Sequence, residues 1–487
     1  MALNSPTFLF LFLPVFLVFY SLPAMRFRNI FLLIFSLFFY LWSDPLYSPF
    51  VFGLVLVNYL LMKGIQKSSG ESRKQSRLLA IGVAVNMVSL MAFKILVTYW
   101  QPMLDLAERT GLKVPNQIIS VLPHAAHLPL GLSFLTFQAI SMLVDVSRQE
   151  KPPDSDLHPV FTYLIMFPKA IAGPIEQFRG IARQIRERQI SIPKAASGLR
   201  RFMLGFAKKT LIADQLALIT DAGIFDQPPL HIPTDIAWLA VISFTVQIYF
   251  DFSAYSDMAI GIGRMLGFDF SENFNFPYFS SSITEFWRRW HISLSNWFRD
   301  YVFYPLERKQ RSAIWLGQPL NIIIVFLLTG LWHGITLSFI AWGLLHGIAL
   351  ALERGRFGGW LKNLWTPFQH LYALSVIMIG WVLFRSPSLF FAWNLLKTMA
   401  GISASSPRLS FSVFQPVSTL TWCALAAGIL FSSPLLPAVR KRLVNKASPN
   451  QKVIIAWVQN TVLLAIFVAG IIVQAGTSFI PFIYGEF

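Results

Sequence analysis

Thirty-two consecutive residues, 321–352, read NIIIVFLLTGLWHGITLSFIAWGLLHGIALAL without one charged side chain. As a single helix this stretch would run roughly 47 Å at ~1.5 Å per residue. The hydrocarbon core of a bilayer is only about 30 Å thick. One crossing cannot hold it, and Gly330 and Gly334 bracket the expected break. Trp332 and His333 stand between those glycines. If Asn321 lies near one interface, about 18 Å of helix carries His333 close to mid-membrane. Ionisable groups at that depth are costly and tend to mark function.

The rest of the chain fits the same solvent. It is 55% hydrophobic, with a mean hydropathy of +0.57, which excludes an ordinary soluble globule. One cysteine, Cys423, lies in an apolar run, so neither a disulfide framework nor a thiolate metal site is expected. A formal charge of +17 by itself would suit a nucleic-acid partner. That reading is rejected, because Lys and Arg gather in short loops between apolar stretches, as orientation in a membrane requires. The N-terminus enters TFLFLFLPVFLVFY without a basic region before it, so a first membrane segment is expected rather than a cleaved signal peptide.

Apolar stretches give about eleven crossings or half-crossings, near 7–23, 29–42, 46–62, 78–100, 128–146, 157–175, 237–263, 320–352 in two pieces, 370–385, 419–433 and 453–475. The basic segments 63–77, 179–209, 288–311 and 440–452 belong in the cytoplasm, and the cation-poor loops 101–126, 225–236 and 403–418 outside. The N-terminus then faces outward. Segment 157–175 has basic residues on both flanks and contains Pro168, Gly173 and Pro174, so it is expected to re-enter rather than cross. The basic stretch 180–209 should lie along the cytoplasmic surface. There is no internal repeat and no soluble domain large enough to fold alone. The expectation is one all-α membrane domain over residues 1–487, with a core at roughly 128–352 and interfacial segments near 176–210 and 282–318.

Three places could carry chemistry. Residues 282–306, SITEFWRRWHISLSNWFRDYVFYPL, place Phe286, Trp290, Leu294, Trp297 and Tyr301 at helical spacing. Arg288, Arg289 and Arg299 occupy other faces, and His291 would share one with Trp287 and Ser295. Indoles beside guanidiniums favour a membrane interface, either as packing or as a cationic vestibule for an anionic ligand. Residues 247–258, QIYFDFSAYSDM, put Asp251 and Asp257 inside an apolar span. Buried carboxylates need partners, and Tyr249, Ser253, Tyr255 and Ser256 are at hand, so a structural polar network lining a cavity is favoured over direct catalysis. His333 has no Ser, Cys or acidic neighbour in sequence to complete a nucleophilic triad. His346, thirteen residues on, does not share its helix face, which argues against a metal pair. As a general base an imidazole could take a proton from an attacking hydroxyl, and as a core residue it could simply be satisfied. His124, His127, His158, His231 and His370 lie in or beside loops and receive no role.

At these residues the chain resembles the membrane-bound O-acyltransferases, in the bacterial branch whose members acetylate exopolysaccharides or transfer D-alanine to wall polymers. The resemblance rests on FLFLFLPVFLVFY at 8–20, LPLGLSFLTFQAISMLVDV at 128–146, FPKAIAGPIEQFR at 167–179, QIYFDFSAYSDMAIGIG at 247–263, the RRWHISLS-W-RDY block within 272–306, and TGLWHG at 329–334. Beyond about residue 352 only hydropathy and a weak GWVLFR at 380–385 match. It implies an all-α fold of about eleven transmembrane helices with re-entrant and interfacial helices around a tunnel. It implies His333 as the catalytic histidine and His291 as a second essential one; the reading of the residues themselves adds Trp332, Asp251, Asp257, Tyr255, Trp287, Trp290, Arg288, Arg289 and Arg299 as expected along the tunnel or vestibule. The resemblance implies no bound cofactor or metal, acetyl-CoA as donor, membrane lipid as surroundings, and a bacterial inner-membrane location with the N-terminus in the periplasm. The implied partners are a periplasmic hydrolase-like acetyltransferase and polysaccharide-synthesis machinery, with no nucleic acid. D-alanyl transfer from a carrier protein, and polymer or lipid export without chemistry, are the competing readings. Residues 304–318, YPLERKQRSAIWLGQ, depart from the family's glycine-rich turn, which leaves the cytoplasmic entrance and the polymer open.

Overall fold

The structure is a computed structural model, and it describes residues 1–22, 25–111, 127–148, 156–220, 225, 232–309, 317–402, 418–477 and 479–483. The loops assigned outward at 101–126, 225–236 and 403–418, and the departing stretch 304–318, fall wholly or partly outside them. Every described element is helical, as the sequence predicts. Among the described residues, six helices are long and apolar enough to cross a bilayer. A seventh appears if Thr419–Phe431 and Leu435–Lys446, bent by 64°, count as one. Four shorter apolar helices, Phe8–Ser21, Phe27–Ser43, Leu132–Ser147 and Gly317–His333, fall below that length. The count of eleven full or half crossings is therefore not what length and composition define; the multi-pass architecture is. The chain divides into two compact units.

The first unit comprises Met1–Gly198, Ile262–Ser271 and Pro481–Phe487. Its core is aromatic: Phe167, fully buried, sits with its ring 5.0 Å from Phe16 and 5.1 Å from Phe12. Helix Leu157–Ile165 stops after nine residues. That is far short of a crossing, and only one 3-10 turn, Phe167–Lys169, follows before Phe178. Non-helical backbone at depth is tolerated where protein covers it, and Met166, Phe167, Pro168, Lys169 and Ala170 are all buried. Lys169 is held by Gln138 and by the ring of Tyr163, 4.3 Å away, while the Tyr163 hydroxyl donates to the Glu176 carbonyl at 2.7 Å. Gly131, at φ +68°, lets helix Leu132–Ser147 begin against this segment; a Cβ there would stand 2.2 Å from the Ala170 carbonyl oxygen.

The second unit comprises Leu199–Gly261 and Glu272–Ile480. Helix Thr234–Met265 is its most enclosed span, 83% buried, whereas Pro449–Ala475 is only 6% buried and runs along the outside. The run 320–352 resolves into Gly317–His333 and Leu337–Arg354, joined by three residues. The break falls after His333, not at Gly330. Gly330 is instead a contact point: a Cβ there would meet the Phe339 carbonyl oxygen at 2.4 Å, and one at Gly343 would meet that of Phe326 at 2.5 Å. Small residues let two helices approach this closely without lipid between them.

Two expectations are corrected. Residues 282–306 do not form one helix. Ile283–Arg289 ends at an extended Trp290, His291 takes the left-handed region (φ 41°, ψ 55°), and Ile292–Phe298 starts anew. Nor does the basic stretch 180–209 lie wholly on a surface, because Arg201, Lys208 and Lys209 turn inward to carboxylates.

Candidate active site

His333 is the last residue of its helix and 4% exposed. Its ring lies 4.4 Å from Trp332, 5.0 Å from Phe384, 5.1 Å from Trp342 and 6.2 Å from Phe339. Glycine at 334 makes this possible, since a Cβ there would strike the Phe339 ring at 2.4 Å. The imidazole thus sits at a helix end inside an aromatic wall contributed by three helices.

An aromatic chain runs from this wall to the second histidine. Phe384 touches Trp381 at 5.8 Å, Trp381 touches Trp290 at 4.9 Å, Trp290 touches Phe252 at 6.5 Å, and Phe252 lies 4.6 Å from His291. His291 is 1% exposed. Its Nδ1 lies 3.3 Å from Oδ1 of Asn273, an oxygen that also accepts from the backbone N–H (3.1 Å) and hydroxyl (2.7 Å) of Ser293. An oxygen only accepts, so Nδ1 carries the proton and Nε2 keeps its lone pair. The turn lies outside the membrane-length helices, and burial pushes the His291 imidazole down to about 3, which keeps it neutral. Asn273 was not singled out from sequence, and it lies eighteen residues from His291 with no periodic signal linking them.

A cavity of about 750 Å³ opens beside these helices. Arg288, Arg299 and Arg354 line one part of it, with Asn296 and Gln318. Trp287, Phe326 and Thr329 line another, and Thr329 stands one helical turn before His333. Arg299 pairs with Asp300 at 3.0 Å, and the Arg354 guanidinium lies 5.4 Å from the Phe303 ring. Arg288 has no carboxylate partner among the described residues. Arg289, its neighbour, points elsewhere: it pairs with Glu285 at 2.7 Å and donates to the Asn275 carbonyl at 3.2 Å. Trp290 is packed among Phe274, Phe286 and Trp381 and does not line the cavity.

The aspartates belong to ion-pair networks. Asp251 meets Lys209 at 2.7 Å, and Lys209 also meets Asp214 at 2.7 Å. Asp257 is gripped by Arg201 and Lys208, each at 2.7 Å, and Arg201 reaches Glu272 as well. These cations come from helix Ile192–Lys208 and the π-turn Lys209–Ala213, not from the segment that carries the aspartates. Tyr255 is fully buried on the same helix as both. No cluster of three or more metal-ligating side chains occurs among the described residues.

Residues 86–393 match the family model of the membrane-bound O-acyltransferases. A probable alginate O-acetylase of Pseudomonas aeruginosa is 40% identical over 82% of this chain and 75% of its own length. Its counterpart in Azotobacter vinelandii is 35% identical over all of both chains. A peptidoglycan O-acetyltransferase of Helicobacter pylori is 30% identical over 99% of this chain and 97% of its own. The chain belongs to the membrane-bound O-acyltransferase family. It is a multi-pass membrane enzyme that transfers acyl groups.

Proposed function

We propose that this enzyme takes an acetyl group from a cytoplasmic thioester, acetyl-CoA, and passes it through the membrane towards a periplasmic acceptor used in exopolysaccharide O-acetylation. His333 is the base that removes a proton from the acceptor hydroxyl as its oxygen attacks the acyl carbon. His291, held neutral with the proton on Nδ1, is the second site histidine. The observation that carries the reading is a cavity lined by Arg288, Arg299 and Arg354 and also by Thr329, one turn from His333. Guanidinium forks suit phosphate, so the arginines hold the anionic part of the donor while its acyl end extends towards the histidine. The names of the relatives support acetyl as the cargo and a polysaccharide as the destination. A periplasmic hydrolase-like partner would complete transfer to the sugar.

Reconstituted in lipid nanodiscs with acetyl-labelled acetyl-CoA, the protein should release free CoA and move the label to a hydroxyl acceptor. Silence with acetyl-CoA and turnover with a D-alanyl carrier protein would replace the acetyl reading. Arg288→Gln and Arg354→Gln should each raise the donor KM roughly tenfold, the worth of one charge-assisted hydrogen bond, with kcat held. Unchanged KM in both would remove the arginines from the donor site.

A further inference from the structure

His346 is 1% exposed and was left without a role by the sequence. Its ring is boxed by Trp287 (5.3 Å), Trp342 (5.0 Å), Phe286 (6.3 Å) and Phe326 (6.3 Å). The Trp287 indole N–H donates to its Nδ1 at 3.4 Å. An indole only donates, so Nδ1 is the acceptor and Nε2 carries the ring proton. That N–H faces Gly380. A Cβ on Gly380 would stand 2.7 Å from His346 Nε2 and 3.6 Å from Trp342 Nε1. Trp342 is also 1% exposed, and its indole N–H has no acceptor among the described residues. Two buried donors therefore converge on ground that only a glycine leaves open.

Leaving a buried donor such as the Trp342 indole N–H without an acceptor is costly, so the place suits a ligand oxygen. Its position says which. Phe384, one turn beyond Gly380 on helix Thr366–Arg385, touches His333 at 5.0 Å, and the Trp342 ring itself touches His333 at 5.1 Å. Trp287 and Phe326 line the cavity and also touch His346. The donor pair is thus set between the cavity and the base.

We propose that His346 Nε2–H and Trp342 Nε1–H receive the carbonyl oxygen of the acyl group, and stabilise it as it becomes an oxyanion. The inference rests on the acyl-transfer reading of His333. The acceptor hydroxyl gives its proton to His333 while its oxygen bonds to the acyl carbon. The carbonyl π pair moves onto the oxygen, which takes both N–H hydrogen bonds. Collapse restores the C=O, breaks the C–S bond, and the leaving thiolate takes the proton from His333. Donors aimed at the developing charge need no reorganisation during the step.

The test uses the full-length protein in nanodiscs with acetyl-CoA, following thiol release. Trp342→Phe keeps the ring and deletes one donor. Gly380→Ala puts a methyl group in front of both. Each should lower kcat about a hundredfold with donor KM within twofold of wild type, and Trp342→Phe should leave the unfolding midpoint unchanged. His346→Gln, which keeps an N–H, should retain more activity than His346→Phe. Wild-type kcat in both Trp342→Phe and His346→Phe would overturn the proposal and leave the site to water or packing. So would an effect confined to KM. If Gly380→Ala fails to fold, Trp342→Phe decides. His333→Ala is run alongside: an inactive His333→Ala with a fully active Trp342→Phe sinks only the donor pair, whereas an active His333→Ala sinks the base assignment.

Discussion

Two histidines of the same type are set up differently here. His333 ends a helix inside an aromatic wall, while His291 is held in a left-handed turn by the Asn273 amide oxygen. Burial holds His291 well below the usual imidazole value of about 6.5. A depressed folded-state value means that the folded protein binds fewer protons than the unfolded chain once pH drops below about 6.5. The contribution of neutral His291 to stability is therefore whole above about pH 6.5 and is lost progressively as pH falls towards 3. Unfolding midpoints of wild type and His291→Gln, measured from pH 7.5 to 4.5, should show the wild type losing more on acidification. Parallel curves would mean the imidazole is not held neutral by the fold. The motifs that carry the family resemblance, TGLWHG and the RRWHISLS block, pointed to both histidines. They could not supply the conformation of His291, because that depends on a hydrogen bond from a loop eighteen residues away. Nor could they separate Arg288 from Arg289, which are about 100° apart on one short helix, so that one faces the cavity and the other Glu285.

At the scale of elements, the hairpin of Gly317–His333 and Leu337–Arg354 fixes where the base can be. Its two helices approach through Gly330 and Gly343, each facing a carbonyl oxygen of the other helix. Gly330→Val has no room, and the strain should displace the end of the helix that carries His333. The expected cost is about 1–3 kcal/mol of stability, together with a loss of kcat, read by thermal unfolding and acetyl-CoA turnover on the same preparation. A variant with wild-type stability and rate would mean the contact does not position the base. The charge-free run and its break were legible because an apolar stretch of this length cannot cross once. The break begins at Gly334, the second of the two glycines expected to bracket it, while Gly330 serves close packing inside the helix. The re-entrant reading of 157–175 came from its flanking charges and from Pro168, Gly173 and Pro174. Its helix of nine residues, followed by buried non-helical backbone, has the form such a segment requires. The Trp/Arg segment 282–306 misled because helical periodicity persists across a two-residue break.

For the whole molecule, hydropathy defines a multi-pass membrane protein, and the family match makes it an acyltransferase. The inward-turned cations Arg201, Lys208 and Lys209 read as surface charge in the sequence because their partners lie in another helix, about fifty residues away. The orientation proposed from the basic loops puts residues 63–77 in the cytoplasm. In a Cys423→Ser background, Glu71→Cys should resist a membrane-impermeant maleimide in intact spheroplasts and react after permeabilisation. Labelling before permeabilisation would reverse the orientation, and with it the side from which the arginine-lined cavity is filled.

The central claim is that His333 is the acyl-transfer base, and turnover of acetyl-CoA by His333→Ala against wild type in the same nanodiscs tests it most directly. The account predicts that His333→Ala keeps its unfolding midpoint and its donor KM while kcat falls by roughly a hundredfold or more, the range for losing a general base. Thiol release and acceptor labelling at the wild-type rate by the His333→Ala protein would contradict it.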